Sequence, residues 1–313
     1  MTKHKHLGIE INSALTWKDH ILTISENASK KLNILAKLKS VIDRNTLETM
    51  YTSFIRPGLE YGSIVFCNCS DTENDMLESV QRRAFKIITG GIVRTPTNNL
   101  YSEVGFQTLK TRRDRSVLLF FFKIINNMVP DYLQELKPDK PVPGRYMLRI
   151  QNDFTPPKCR LTKYLKSFLP FAVSLWNKLD EATRAIKNYD QFKHTLMPPQ
   201  NDHPLFYVGT RHEQIIMARL RMRCSNLNGH LHALNIIESS ACSCGFINED
   251  EFHFFFVCPL YNRPRITLLN AISHIAPYTL RTLLYGIDEL ELTENKRIIC
   301  ETLKFIAKSK RFE

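Results

Sequence analysis

T-W-K-D-H-I-L-T-I-S-E-N-A-S-K-K-L-N-I-L-A-K-L-K, residues 16–39, is the stretch on which the fold class turns. Ile21, Ile24, Ala28, Leu32, Leu35 and Leu38 recur at steps of three and four. That spacing puts them on one face of an α-helix, whereas a strand would alternate every second residue. Thr16, three positions before Asp19, has the form of a capping box and predicts the start. Lys30, Lys31, Lys37 and Lys39 occupy the other face. Just upstream, Leu7–Ile11 alternates apolar and polar and reads as the tail of a strand whose partners lie outside this sequence.

Working outward, the same period recurs. Asn45 with Glu48 predicts a second helix through Leu47, Met50, Tyr51 and Phe54, stopped by Pro57 and Gly58. A third is expected from about Asp75, with Leu77, Val80, Ala84 and Ile87 inward, ending at Gly90–Gly91. Its outer face holds Gln81, Arg82, Arg83 and Lys86. A fourth, Leu109 to Asn127, carries Lys110, Arg112, Arg113 and Arg115 in its first turns, where cations oppose the helix dipole. Three basic faces on successive helices point to phosphate binding. Lys30, Lys37, Arg82, Arg83, Arg112 and Arg113 are the candidate contacts.

Pro138, Pro141, Pro143, Gly144, Pro156 and Pro157 interrupt any helix and predict a linker over 137–157. Beyond it, helices are expected near 168–179, 191–196, 211–222, 263–275 and 294–308, with a short strand at 206–208 and breaks at Pro198–Pro199 and Pro204. The fold expected is mainly α, with a helical lobe over 1–136 and a second helical lobe over 158–313 that carries a small metal motif.

That motif is Cys242, Cys244, His253 and Cys258, spaced C-x-C-x8-H-x4-C. Three thiolates and an imidazole are ligands Zn²⁺ prefers, and a closed set of four marks a structural rather than a catalytic ion. Gly245 permits the positive-φ turn that a tight Cys loop needs. The apolar run Phe252–Val257 would anchor one side of the loop in a small core. The competing reading makes Cys242 and Cys258 small buried hydrophobes and His253 a core histidine. His230 and His232 are the substitutes if one ligand fails. Cys67 and Cys69 form a second C-x-C with nothing nearby to complete it, and read as structural. Phe246 and Phe252 flank the motif and could stack unpaired bases, although core packing is the simpler expectation for both.

Composition narrows the partners. The 313 residues carry a formal net charge of +12, with a pI near 9.3, which favours an anionic partner, nucleic acid first and an acidic membrane second. No run of eighteen apolar residues predicts a membrane span. The opening residues are polar and basic rather than a secretory leader, and the other cysteines are scattered, so an intracellular compartment is expected, nuclear or cytoplasmic. G-x-S-x-G, H-E-x-x-H and P-loop patterns are absent, and the acidic trio Glu249, Asp250 and Glu251 has no further carboxylates nearby.

Several blocks carry a resemblance. H-L-G-I-E-I-N-S-A-L-T-W-K-D-H-I (6–21) is similar to the segment leaving the palm of reverse transcriptases from non-LTR, LINE-like retrotransposons. R-P-G-L-E-Y-G-S-I-V-F (56–66) and V-Q-R-R-A-F-K-I-I (80–88) resemble the helical thumb-side region that follows. A-R-L-R-M-R-C-S-N-L-N-G-H-L (218–231) and the stretch 240–265 resemble the C-terminal Cys/His region of the same elements. The resemblance implies a thumb-like region over 1–136 and a nucleic-acid-binding C-terminal fragment of an RNA-directed DNA polymerase. Its partners would be RNA, DNA or an RNA–DNA hybrid, with no membrane and no small-molecule substrate. The Mg²⁺-binding aspartate pair of the parent enzymes belongs to their palm, and no D-D pair occurs here, so this chain alone is expected not to polymerise. The alternative is a zinc-stapled helical remnant that serves structure or protein interaction and binds no nucleic acid.

Overall fold

A computed structural model describes residues 3–138, 153–196 and 203–313. The chain opens with a hairpin. β1 (Lys3–His6) and β2 (Ile9–Asn12) pair antiparallel, Lys3 opposite Asn12 and His6 opposite Ile9. Leu7 and Gly8 have φ of 46° and 84°, the positive values a two-residue hairpin turn demands. The strand expected to find its partners elsewhere is therefore paired inside the chain.

Helices follow as the periodicity requires. α1 (Lys18–Leu38) buries Ile21, Ala28, Leu32 and Leu35 and leaves Lys30, Lys31, Lys37 and Lys39 exposed. α2 (Arg44–Met50) is capped by Asp43, whose carboxylate accepts the Thr46 N–H. It does not stop at Pro57. The chain widens into a π-helical segment at Tyr51–Ile55 and continues as α3 (Arg56–Glu60), with Pro57 in its first turn. There the missing proline N–H removes no helical bond. α4 (Asp71–Thr89) starts four residues before the expected Asp75, because Ser70 and Glu73 cap each other reciprocally at 2.7 and 3.3 Å. α5 (Thr97–Val104) precedes α6 (Leu109–Ile125) and α7 (Asp131–Gln134).

Most of the proline-rich stretch, residues 139–152, lies outside the described residues, as does Pro198–Pro199. Beyond it come α8 (Thr162–Leu165), α9 (Phe168–Trp176), α10 (Glu181–Ala185) and α11 (Tyr189–Leu196). The short strand expected at 206–208 is instead a 3-10 turn, Pro204–Tyr207, since Pro204 presets helical φ and donates nothing to a ladder. α12 (Arg211–Arg221) begins in a Thr210–Glu213 capping box. α13 (Asn228–Ala233), α14 (Asn262–Ile272), α15 (Leu280–Tyr285) and α16 (Leu292–Ser309) complete a mainly helical protein. Among the described residues no helix is long and apolar enough to cross a membrane.

Two compact units emerge, and they do not follow one another along the chain. One comprises residues 1–30, 55–81 and 107–200; the other comprises 31–54, 82–106 and 201–313. Each draws on both sides of the 137–157 stretch, so the sequential lobes read from composition are not the compact units. In the first unit α6 packs on α9 and α11, with Phe121, Phe122, Trp176 and Phe192 buried and the Phe122 and Phe192 rings stacked at 4.5 Å. In the second, α12, α14, α15 and α16 surround Phe254, Phe255 and Phe305.

The second unit also holds a buried ionic network. Glu103, 4 % exposed, accepts from two guanidiniums that are themselves buried: Arg44 Nη1 at 2.5 Å, and Arg221 Nε and Nη2 at 2.8 and 2.7 Å. Arg44 Nε donates to Glu48 at 2.8 Å, and the Tyr207 hydroxyl donates to the same carboxylate at 2.7 Å. The Phe206 ring lies 3.8 Å from Arg221 and 5.3 Å from Arg44. Two cations and two carboxylates balance, so the network carries no net charge. Removing one carboxylate would strand a guanidinium. We expect Glu103→Ala to cost about 3–5 kcal/mol in urea unfolding, with the exposed change Lys39→Ala within about 0.5 kcal/mol of the parent. Equal midpoints for the two variants would contradict the network's structural role.

Candidate metal centre

The two halves of the C-x-C-x8-H-x4-C motif reach the same point by different local means. The first half is a tight loop. Gly245, at φ 92°, donates its N–H to the Cys242 carbonyl at 2.9 Å, and the Cys242 N–H donates to Phe246 O at 2.9 Å. The second half is a π-helical turn, His253–Val257, in which the Cys258 N–H reaches back to His253 O at 2.7 Å. Asp250 starts that turn by accepting the His253 N–H at 2.8 Å. Phe254 and Phe255 point into the core and are fully buried, which turns His253 and Cys258 towards the loop.

Four donor atoms converge: the sulfurs of Cys242, Cys244 and Cys258 and one nitrogen of His253 all lie within 4.8 Å of one another. Cys242 Sγ is 3.8 Å from Cys258 Sγ, and Cys244 Sγ is 3.3 Å from His253 Nε2. A tetrahedral ion with metal–sulfur bonds of about 2.3 Å has sulfur–sulfur edges of about 3.8 Å. The four residues therefore fit a metal ion. His253 does not point into the phenylalanine core; its ring lies flat against Phe246, centroids 4.5 Å apart at 8°. Cys242 and Cys258 are buried in the core, as the competing reading expects, but the convergence of three sulfurs and a ring nitrogen on one point is the arrangement a metal site requires.

The substitutes are not needed. His230 is engaged elsewhere, with Nδ1 2.7 Å from the Ser225 hydroxyl and Nε2 3.0 Å from Glu251, and His232 is exposed. Cys67 and Cys69 are buried away from any donor cluster, their thiols pushed up by burial to about 12 and about 11. Core packing does not describe the flanking aromatics: Phe246 is 45 % exposed and Phe252 59 %.

The surroundings shift the four donors in different directions. Burial pushes the Cys242 thiol up to about 12 and raises that of Cys258. For Cys244 burial is outweighed by the Phe246 N–H and the Cys242 thiol, which hold its thiol below the ordinary range. Burial also lowers the pKa of His253, which keeps the imidazole neutral and able to ligate. Behind the thiols stands Glu249, 2 % exposed, its Oε1 3.9 Å from Cys242 Sγ. Arg311 grips it with both arms (2.7 and 2.6 Å), and the Asn228 N–H adds a third bond at 2.8 Å. Burial would raise the Glu249 carboxyl, but these donors outweigh it and hold it below its ordinary value. Arg265 secures the other side, donating to Phe255 O at 2.8 Å and Cys258 O at 2.6 Å. At Gly229 a Cβ would stand 2.8 Å from Glu249 O, so only glycine lets α13 close on the loop.

Sequence reading missed Arg311, Arg265 and Gly229. Nothing in their local sequence marks them, because each is recognised only by a carbonyl or carboxylate far along the chain. The acidic trio was visible, and its members divide: Glu249 pairs with Arg311, Asp250 caps the π-turn, and Glu251 faces His230 and Arg223.

The candidate phosphate contacts separate into two groups. Lys30, Lys37 and Arg83 are exposed, and Arg83 donates to Asn33 at 2.6 Å. Arg82 is half-buried and has a partner within the protein. Arg112 forms a two-pronged pair with Glu60, and Arg113 is 1 % exposed with its guanidinium on Asn74. Arg113 is thus withdrawn from the surface and Arg112 is already neutralised. The cations at the start of α6 look unfavourable only until their partners on other segments are counted.

Titration with Co²⁺, whose thiolate complexes are coloured, should give one tetrahedral ion per chain. Cys258→Ser should abolish it and Cys67→Ser should not. Binding displaces protons from thiols held protonated by burial, so affinity should rise with pH between about 6 and 8; a pH-independent affinity would contradict the donor set. A separate test concerns Arg311. A depressed carboxyl stabilises the fold above its unfolded value near 4.5 and loses that contribution as pH falls through the lower folded value. Acid unfolding of Arg311→Met should begin at higher pH than that of the parent. Comparison of the chain with protein-family models, with curated proteins and with solved structures gives no match.

Proposed function

We propose that the chain is a nucleic-acid-binding part of a non-LTR retrotransposon reverse transcriptase, and that the ion of its metal centre is structural zinc. The observation that carries this reading is the lysine face of α1. Lys30, Lys31 and Lys37 stand exposed on α1 and Lys39 just past its end, in a chain of net charge +12 whose sequence blocks resemble that family in the family's order. Solvated ammoniums such as those of Lys30, Lys37 and Lys39 suit a phosphate backbone, which is contacted without regard to sequence, whereas the Lys31 ammonium donates to the Phe54 carbonyl at 2.9 Å. Zinc suits the site because soft thiolates and an imidazole in a closed set of four, three of them buried, leave no position for substrate. Its role there is to hold the 242–258 loop, and through Glu249 the C-terminal Arg311, in one geometry.

The engagement of Arg112 and Arg113 inside the protein favours the second reading, a zinc-stapled interaction module without nucleic acid. Salt separates the two. With four phosphates neutralised by Lys30, Lys37, Lys39 and Arg83, the log–log salt slope for an RNA–DNA hybrid should be about −3 to −4. Lys30→Glu with Lys37→Glu should shrink that slope by about 2 and weaken all sequences alike. A flat salt response would favour the interaction module. Purified protein should carry one zinc per chain, and it should add no nucleotides to a primed template, since it holds no paired aspartates.

A further inference from the structure

The first unit contains a cavity of about 580 Å³, within the ~300–1,000 Å³ range of small-ligand sites. It lies between the start of α1, the loop before α4 and the α8–α9 junction, and neither the metal centre nor the lysine face of α1 includes it. Three ammoniums line it: Lys18, Lys163 and Lys166. The one carboxylate in the lining, Glu73, is already satisfied by the N–H and hydroxyl of Ser70 at 2.7 and 2.8 Å. Lys163 and Lys166 form no ion pair among the described residues, so the cavity is left with unbalanced positive charge. α1 and α9 both begin at its wall, which adds the positive ends of two helix dipoles.

The rest of the wall is not what a simple anion would need. Trp17 and Phe168 are half-buried there, and Leu15 and Val65 present apolar surface at 63 % and 48 % exposure. Leu15 is also held at φ 53°, a region that bulky residues rarely adopt and that recurs where a ligand is gripped. Asn68 adds an amide able both to donate and to accept. A ligand that matches this lining has a flat, largely apolar body with polar edges and carries its negative charge at one end. We propose that the cavity takes one unpaired nucleotide of a bound strand, its base against Trp17 and its phosphates on Lys18, Lys163 and Lys166. The inference deepens the nucleic-acid reading and rests on it. An alkyl anion would match the charge and the apolar wall but would leave the Asn68 amide unused.

The test uses the full chain and a five-nucleotide oligo-thymidylate. Of the two tryptophans, Trp176 is buried in the core at 4 % exposure, so a ligand in the cavity reaches Trp17 alone. The oligonucleotide should quench tryptophan fluorescence, and Trp17→Phe should remove the quenching. Lys163→Glu with Lys166→Glu, both exposed in the parent, should abolish saturable binding while leaving the thermal melt unchanged. Trp17→Leu should weaken binding about tenfold, the loss of one stacked base. Inorganic polyphosphate of equal charge should bind more weakly and leave the fluorescence unaltered. Equal affinity for polyphosphate, equal affinity for laurate, or no quenching by the oligonucleotide would each overturn the nucleotide site. Hybrid binding with its salt slope, measured alongside, separates the two claims: its survival when quenching fails sinks only the cavity, and its failure when quenching persists sinks only the wider reading.

Discussion

Glu103 between Arg44 and Arg221 is the interaction on which the second unit depends. Taking one carboxylate and two guanidiniums out of water is costly, and the arrangement is tolerated because nearly every polar atom finds a partner. Glu103 alone accepts four of the bonds, counting its backbone oxygen to Arg44 Nη2 at 2.7 Å. The second carboxylate, Glu48, restores neutrality, and Phe206 gives both cations a π-face. Residues 44, 103 and 221 come from the three separate stretches that make up this unit. A network that is expensive when incomplete thus discriminates against any packing that leaves one stretch out. The network therefore ties together the three stretches from which the second unit is assembled.

The same principle operates at the metal centre on a smaller scale. Its four donors lie within seventeen residues, and Phe254 and Phe255 anchor only the second half of the loop in the core. Support comes from elsewhere in the unit: Arg311 from the last residues of the chain, Arg265 from α14, and Asn228 at the start of α13. These contacts fix carbonyls and a carboxylate rather than sulfurs, which leaves the sulfurs free for an ion. Because Glu249 is neutralised by Arg311, its closeness to Cys242 does not add an uncompensated charge beside the thiolates a metal requires.

Excess positive charge is therefore not one property of this protein but three. Arg44, Arg113 and Arg221 are interior groups, Arg112 is spent on Glu60, and the lysines of α1 are solvated. Arginine fills the interior roles because its planar fork meets several acceptors at once, whereas lysine, a strongly hydrated point charge, stays in water. Net charge alone would have counted all of them alike.

Local rules were enough to read the helices and the metal ligands from the sequence. The three- and four-residue spacing of Ile21, Ala28, Leu32 and Leu35 and the Thr210–Glu213 cap each involve neighbours along one turn, and Cys242 to Cys258 needed only ligand type and proximity. Where a feature left no local signature or depended on a distant partner, the reading failed. Leu7–Ile11 lacked a visible partner because Lys3–His6 carries no apolar pattern, and Pro57 looked like a stop because a π-turn leaves no residue signature. Arg112 and Arg113 looked like free cations because Glu60 and Asn74 lie on other segments. Burial and ion pairing are properties of the folded surface, and only the tertiary structure decides which charges that surface keeps.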